Sequence, residues 1–192
     1  MNKTRLEAFS DGVMAIIITI MVLEVKVPHG TSWQNLLELA PVLLSYVLSF
    51  IFVGIYWGNH HHLLHTVKRV TGGMIWANFN LLFWLSLIPF GTGWMGENHF
   101  ERNTVIVYAA LLILCGIAFT ILQAVIIKTN PASEELAQAY KKMSRKGMIS
   151  VFFYGLAIPA GFVNTAASIA LFVIVSMIWI IPDRSIEKAV RD

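Results

Sequence analysis

Six long apolar stretches, separated by short polar segments, occupy most of this chain. A helix needs ~20 predominantly apolar residues to cross a bilayer core, within a range of ~17 to 25. The stretches run over residues 6–27, 36–57, 74–94, 104–127, 147–162 and 165–181. The last two form one block, Gly147 to Ile181, too long for a single span. Asn164 and Thr165 divide it, which predicts two short helices joined by a tight turn, the second ended by Pro182. Pro41 falls in the first turn of the second span, where its missing N–H is tolerated. Pro89 falls inside the third and predicts a kink. The expected fold is an all-α integral membrane protein, one domain over residues 1–192, with six transmembrane helices.

Composition excludes the soluble alternative. Of the 192 residues, 57% are hydrophobic and 13% charged, against ~25% charged in ordinary soluble domains. A soluble domain of this length cannot hide that much apolar surface, because part of any fold must face water. The net charge of +3 is read as a topology signal, not as a nucleic-acid site. If the N-terminus is cytoplasmic, only Lys26 and Arg102 of the fourteen Lys and Arg residues fall on the outer side. That asymmetry follows the positive-inside rule, and an even number of spans returns both termini to the cytoplasm. Trp33, Trp57, Trp76 and Trp94 lie near expected span ends, where aromatic anchors collect.

The segment from Lys128 to Lys146 is the longest expected loop, with room for a short amphipathic helix. The first span does not read as a cleaved signal peptide. Asp11 and Glu24 flank its apolar run, and no small-residue cleavage site follows. No three-helix repeat suggests an inverted-repeat transporter. Cys115, the one cysteine, lies in an apolar run and reads as a packing residue.

The first span carries the most information. At 100° per residue, Ile16, Thr19, Ile20 and Leu23 fall within about 100° of arc. They make one narrow aliphatic face with one hydroxyl. Asp11 points about 140° away from Ile16, toward its own subunit, where Arg5 or a histidine is a candidate partner. An ionisable group at a membrane boundary is a functional candidate. The competing structural explanation is that Ser10 and Asp11 cap the helix and complement its dipole.

A second cluster is Trp57-Gly-Asn-His60-His61-His62-Leu-Leu-His65. His61 and His65 have the i, i+4 spacing of a zinc pair, but no nearby Cys or acid completes a tetrahedral set. The favoured reading is that these imidazoles hydrogen-bond to the first helix. Asn78 and Asn80 in the third span read as interhelical hydrogen-bonding groups. Hydrolase, metalloprotease, nucleotide-loop and dinucleotide-binding signatures are all missing.

Arg5-x-x-x-Phe9-Ser10-Asp11 at the head of the first span resembles the hallmark of the transmembrane-protein-175 potassium channels. Trp57-x-x-His60-His61, Asn80-Leu-Leu-Phe-Trp and Pro89-Phe90 extend the resemblance over the chain, in the single-repeat form of bacterial members. The resemblance implies a homotetramer with a potassium pore lined by the first helix and without a TVGYG filter. By alignment of the motif, Ile16 forms the tightest constriction, Thr19 a hydroxyl ring beside it, where K+ pauses, and Ile20 and Leu23 the outer lining. Arg5, Phe9, Ser10 and Asp11 hold the pore helix against its own subunit, with Trp57 and His60 or His61. His62 is an addition to the pattern.

The expected function is a potassium-permeable, hydrophobically gated channel in a prokaryotic cell membrane. It is not an enzyme, and it has no metal or cofactor beyond permeating K+. Its partners are further copies of itself and membrane lipid, not nucleic acid. A secondary ion transporter is the first alternative, although the mid-spans lack the ionisable site that it needs. A non-transporting membrane scaffold is the second.

Overall fold

The computed structural model describes residues 2–180, which form eight helices and no strand. Ile181, Pro182 and the basic residues Arg184, Lys188 and Arg191 lie outside the described residues, so the expected end of the last span does too. The helices are α1 (Lys3–Leu23), α2 (Trp33–Leu37), α3 (Ala40–His65), α4 (Gly72–Ser86), α5 (Ile88–Glu97), α6 (Arg102–Thr129), α7 (Glu134–Val163) and α8 (Thr165–Ile180). Five apolar helical stretches are long enough to cross a membrane, with α4 and α5 together counting as one, Gly72–Glu97. The 16 residues of α8 rise about 24 Å, short of the ~30 Å of a hydrocarbon core.

Local chemistry sets most boundaries. Asn2, not Ser10 or Asp11, caps α1, its side chain accepting from the Arg5 N–H at 2.9 Å. The capping explanation for Ser10 and Asp11 is therefore wrong, since both sit well inside the helix. The second span starts at Ala40, with Pro41 in its first turn, because residues 33–37 form the separate helix α2, capped by Ser32. It continues to His65, so Trp57 lies about two turns inside it and all the histidines of the cluster are helical. The third span breaks at Leu87, two residues before Pro89. The proline ring clashes with the carbonyl four residues back and lacks the N–H to bond it.

The expected loop from Lys128 to Lys146 is a correction. Helix α6 runs to Thr129, four residues turn the chain, and α7 then runs without interruption from Glu134 to Val163. Ser133 caps α7, and Glu134 and Glu135 sit at its positive end. The amphipathic segment is thus the first half of a 30-residue helix, about 45 Å long. Asn164 ends α7, and its side chain accepts from the Ala166 N–H at 2.9 Å, starting α8.

In the bundle, α1 packs on α3, α4 and α5, while α6 packs on α4, α5 and α7, and α8 closes on α7 and α3. Lipid tails are as apolar as the core, so close packing and interhelical hydrogen bonds must hold such a bundle. Gly96 shows how tight the packing is. A Cβ there would lie 2.4 Å from Ser45 Oγ and 2.8 Å from Val42 Cα, so α3 and α5 meet backbone to backbone. Next to that contact, Thr92 donates to Ser49 Oγ at 2.6 Å, and Ser49 and Tyr108 hydroxyls meet at 2.7 Å, all buried.

The two ends of the bundle differ. Lys3 Nζ donates to the His65 carbonyl at 2.8 Å, and the Lys68 and Arg69 N–H groups donate to Asn130 Oδ1 at 2.8 and 2.9 Å. The start of α1, the α3–α4 turn and the α6–α7 turn therefore share one end. At the other, Lys26 pairs with Glu97, whose carboxylate holds the Lys26 ammonium above its usual pKa range.

Candidate functional site

Helix α1 is divided lengthwise. Leu6, Ser10, Met14, Ile17 and Met21 are buried, one every three or four residues, and face α3, α4 and α5. Ile16 is 57% exposed, Ile20 42% and Leu23 76%. Thr19 is exposed with them. A membrane-spanning helix thus leaves its Ile16–Thr19–Ile20–Leu23 face uncovered by its own subunit. Thr19 Oγ1 donates to the Ile16 carbonyl at 2.9 Å. Its proton is committed to the backbone, and its lone pairs remain available to a cation.

Behind that face a polar network ties α1 down. Asn78 Nδ2 donates to Ser10 Oγ at 2.9 Å, and Ser10 donates on to the Leu6 carbonyl at 2.9 Å. Asn78 Oδ1 lies 2.7 Å from His60 Nε2. With the amide nitrogen spent on Ser10, the oxygen is the acceptor and His60 donates. His60, Asn78 and Ser10 are all fully buried. One chain of hydrogen bonds thus runs through α3, α4 and α1 where lipid offers no alternative partner.

The remaining motif residues sit around this network. Trp57 Nε1 donates to Asp11 Oδ1 at 3.0 Å across the α1–α3 groove. Phe9 meets Phe79 edge to face, with centroids 5.5 Å apart. His61 turns outward and packs its ring against Trp57, His62 and His65. Among the described residues no three His, Cys, Asp or Glu side chains could hold a metal. Arg5 does not reach Asp11. Its side chain is exposed, and at 100° per residue it shares the azimuth of Leu23, about 27 Å along the axis. Sequence reasoning grouped Ser10 and Asp11 with Trp57 and His60 but left out Asn78, and it expected the imidazoles to bond the first helix, whereas His60 bonds Asn78 on α4. It missed Lys3 and the Ser49–Thr92–Tyr108 cluster, which no local pattern marks.

The family model described as the endosomal/lysosomal potassium channel TMEM175 matches residues 5–89. That segment holds the exposed α1 face and every member of the network behind it. A potassium channel of Chryseobacterium sp. (strain P1-3) is 50% identical over 192 residues, 100% of both chains. The chain belongs to the TMEM175 potassium channel family. The family is one of ion channels, not enzymes. Its fold agrees: the crystal structure of a lysosomal potassium-selective channel TMEM175 homolog from Chamaesiphon minutus superposes with a TM-score of 0.82 at 26% identity. The match covers 95% of this chain and 97% of that one. The human endosomal/lysosomal proton channel TMEM175 is 34% identical over 101 residues, 46% of this chain and 20% of its own.

Proposed function

We propose that this chain is the subunit of a homotetrameric potassium channel whose pore is lined by α1. The exposed Ile16–Thr19–Ile20–Leu23 face, opposite the buried face of the same helix, carries this reading. One subunit offers a single stripe and cannot enclose an aqueous path. Symmetric copies around an axis enclose one, with the same stripe facing inward from each.

On this reading Ile16 forms the constriction. A ring of isoleucines opposes wetting and gates by excluding water. The Thr19 ring offers oxygens to a cation that has shed part of its hydration shell. Ile20 and Leu23 continue the lining outward, and no carbonyl filter contributes. The Ser10–Asn78–His60 chain and the Asp11–Trp57 bond hold α1 in register against α3 and α4. Arg5 stands on the pore azimuth at the inner mouth. We read the subunit as six spans, with α8 as a short sixth. The end carrying Lys3, Lys68 and Arg69 faces the cytoplasm of a prokaryotic cell, in keeping with its positive charge.

The test is ion flux from liposomes holding the purified protein, with K+, Na+ and H+ gradients imposed separately. The proposal expects K+ efflux faster than Na+ efflux and independent of any co-substrate. Proton flux in the absence of K+ flux would favour a second reading, which the names of the vertebrate relatives suggest.

A further inference from the structure

Helices α3, α6, α7 and α8 leave a narrow, mostly apolar groove between them. Two helix-interior glycines open it, Gly116 on α6 and Gly147 on α7. Packing does not demand Gly147: a Cβ there would meet only Thr120 Oγ1, at 3.9 Å. A glycine costs ~1 kcal/mol against alanine in a helix interior, and here it keeps a wall of the groove recessed.

Three polar side chains of the wall, Thr120, Ser150 and Gln123, are bonded within the subunit. Thr120 donates to the Gly116 carbonyl at 2.8 Å. Ser150 donates to the Lys146 carbonyl at 2.9 Å and accepts from Trp179 Nε1 at 2.8 Å. Both ends of the Gln123 amide are bonded, to the Tyr140 carbonyl and to Ser144. The rest of the wall is mostly apolar, with the Tyr56 and Tyr154 rings among it, and in a bilayer the apolar material at hand is an acyl chain.

The basic end of the groove selects the headgroup. Lys141, Lys142, Arg145 and Lys146 follow one another on α7, and no acid occurs between Leu136 and Ile180. Lys146 Nζ sits over the Trp179 ring, 5.6 Å from its centroid, and Trp179 lines the groove. A cluster of four or more basic residues beside a membrane span attracts anionic lipid, at ~1 kcal/mol per charge. We propose that the groove between α3, α6, α7 and α8 binds one anionic phospholipid, its acyl chain beside Gly116 and Gly147 and its phosphate at Lys146.

Native mass spectrometry of the purified, delipidated full chain tests this without any ion flux, so its outcome is separate from that of the channel reading. The probes are dioleoylphosphatidylglycerol and dioleoylphosphatidylcholine, added in turn. Phosphatidylglycerol should be retained in preference, one molecule per chain. Lys146→Gln should weaken that retention about fivefold, leaving phosphatidylcholine unchanged. Gly147→Leu should abolish retention of both lipids by filling the groove. Thr120→Leu fills it from an exposed position and repeats the test if Gly147→Leu does not fold. Equal retention of the two lipids, or full retention in both filling variants, overturns the proposal. So does a change of subunit number in Thr120→Leu, which would show that a second copy covers the groove.

Discussion

Asn78 on α4 donates to Ser10 on α1 at 2.9 Å, in a part of the bundle where neither group has access to water. Because the oxygen of the same amide accepts from His60 at 2.7 Å, one side chain satisfies two buried neighbours on two other helices.

Asn78→Leu should therefore be the most damaging polar substitution in the chain. It strands His60 and removes the donor to Ser10, and an unsatisfied buried group costs ~1 to 3 kcal/mol. Ser10→Ala should cost less, because it leaves only the Asn78 amide nitrogen without its partner and keeps the His60–Asn78 bond. Size-exclusion chromatography after a heat ramp ranks them, and equal midpoints for Asn78→Leu and wild type would remove the network from the account.

Asp11 has a smaller role in stability than a buried ion pair would give it. It is half-buried and bonded to the half-exposed Trp57 indole. Asp11→Ala and Trp57→Phe should each cost about 1 kcal/mol, and the double variant little more than either alone. Additive losses in a double-mutant cycle of thermal midpoints would show that the two residues act separately.

Gly96→Ala should destabilise by ~1 to 3 kcal/mol, the usual cost of overpacking. The added methyl meets both Ser45 Oγ and Val42 Cα. Ser45→Ala should rescue only part of the loss, since the Val42 backbone cannot be trimmed. Complete rescue would place the clash on the serine alone.

Thr19→Val keeps side-chain shape and removes the oxygen. Reversal potentials in mixed K+ and Na+ should shift toward lower potassium preference. An unmoved reversal potential would reduce Thr19 to its hydrogen bond with the Ile16 carbonyl.

Much of this was legible in the sequence because a bilayer imposes simple length and charge rules. The apolar runs located α1, α3, α6 and the α7–α8 turn, and Pro89 marked the break at Leu87. The 100° periodicity of α1 separated Ile16, Thr19, Ile20 and Leu23 from the buried side of the helix. Boundaries failed where polar residues are helical too. The Lys128–Lys146 segment looked like a loop because it is charged, yet Ser133, Glu134 and Glu135 start a helix there that runs on into the membrane. The pairings of Asn78 with Ser10, Trp57 with Asp11 and Lys3 with the His65 carbonyl span 46 to 68 residues. They depend on how α1, α3 and α4 dock, which no local pattern encodes.

The central claim is that cations pass along the Leu23–Ile16 face of α1. The most direct measurement is covalent block of K+ current by a water-soluble cationic thiol reagent applied from the outer side, in Leu23→Cys and Val22→Cys. Both native side chains are exposed, 76% and 47%, but they point about 100° apart around the helix. The native Cys115 is buried and stays unreacted. The account predicts rapid, irreversible block in Leu23→Cys and none in Val22→Cys. Block at Val22→Cys with an unaffected Leu23→Cys would contradict it and turn the pore to another face.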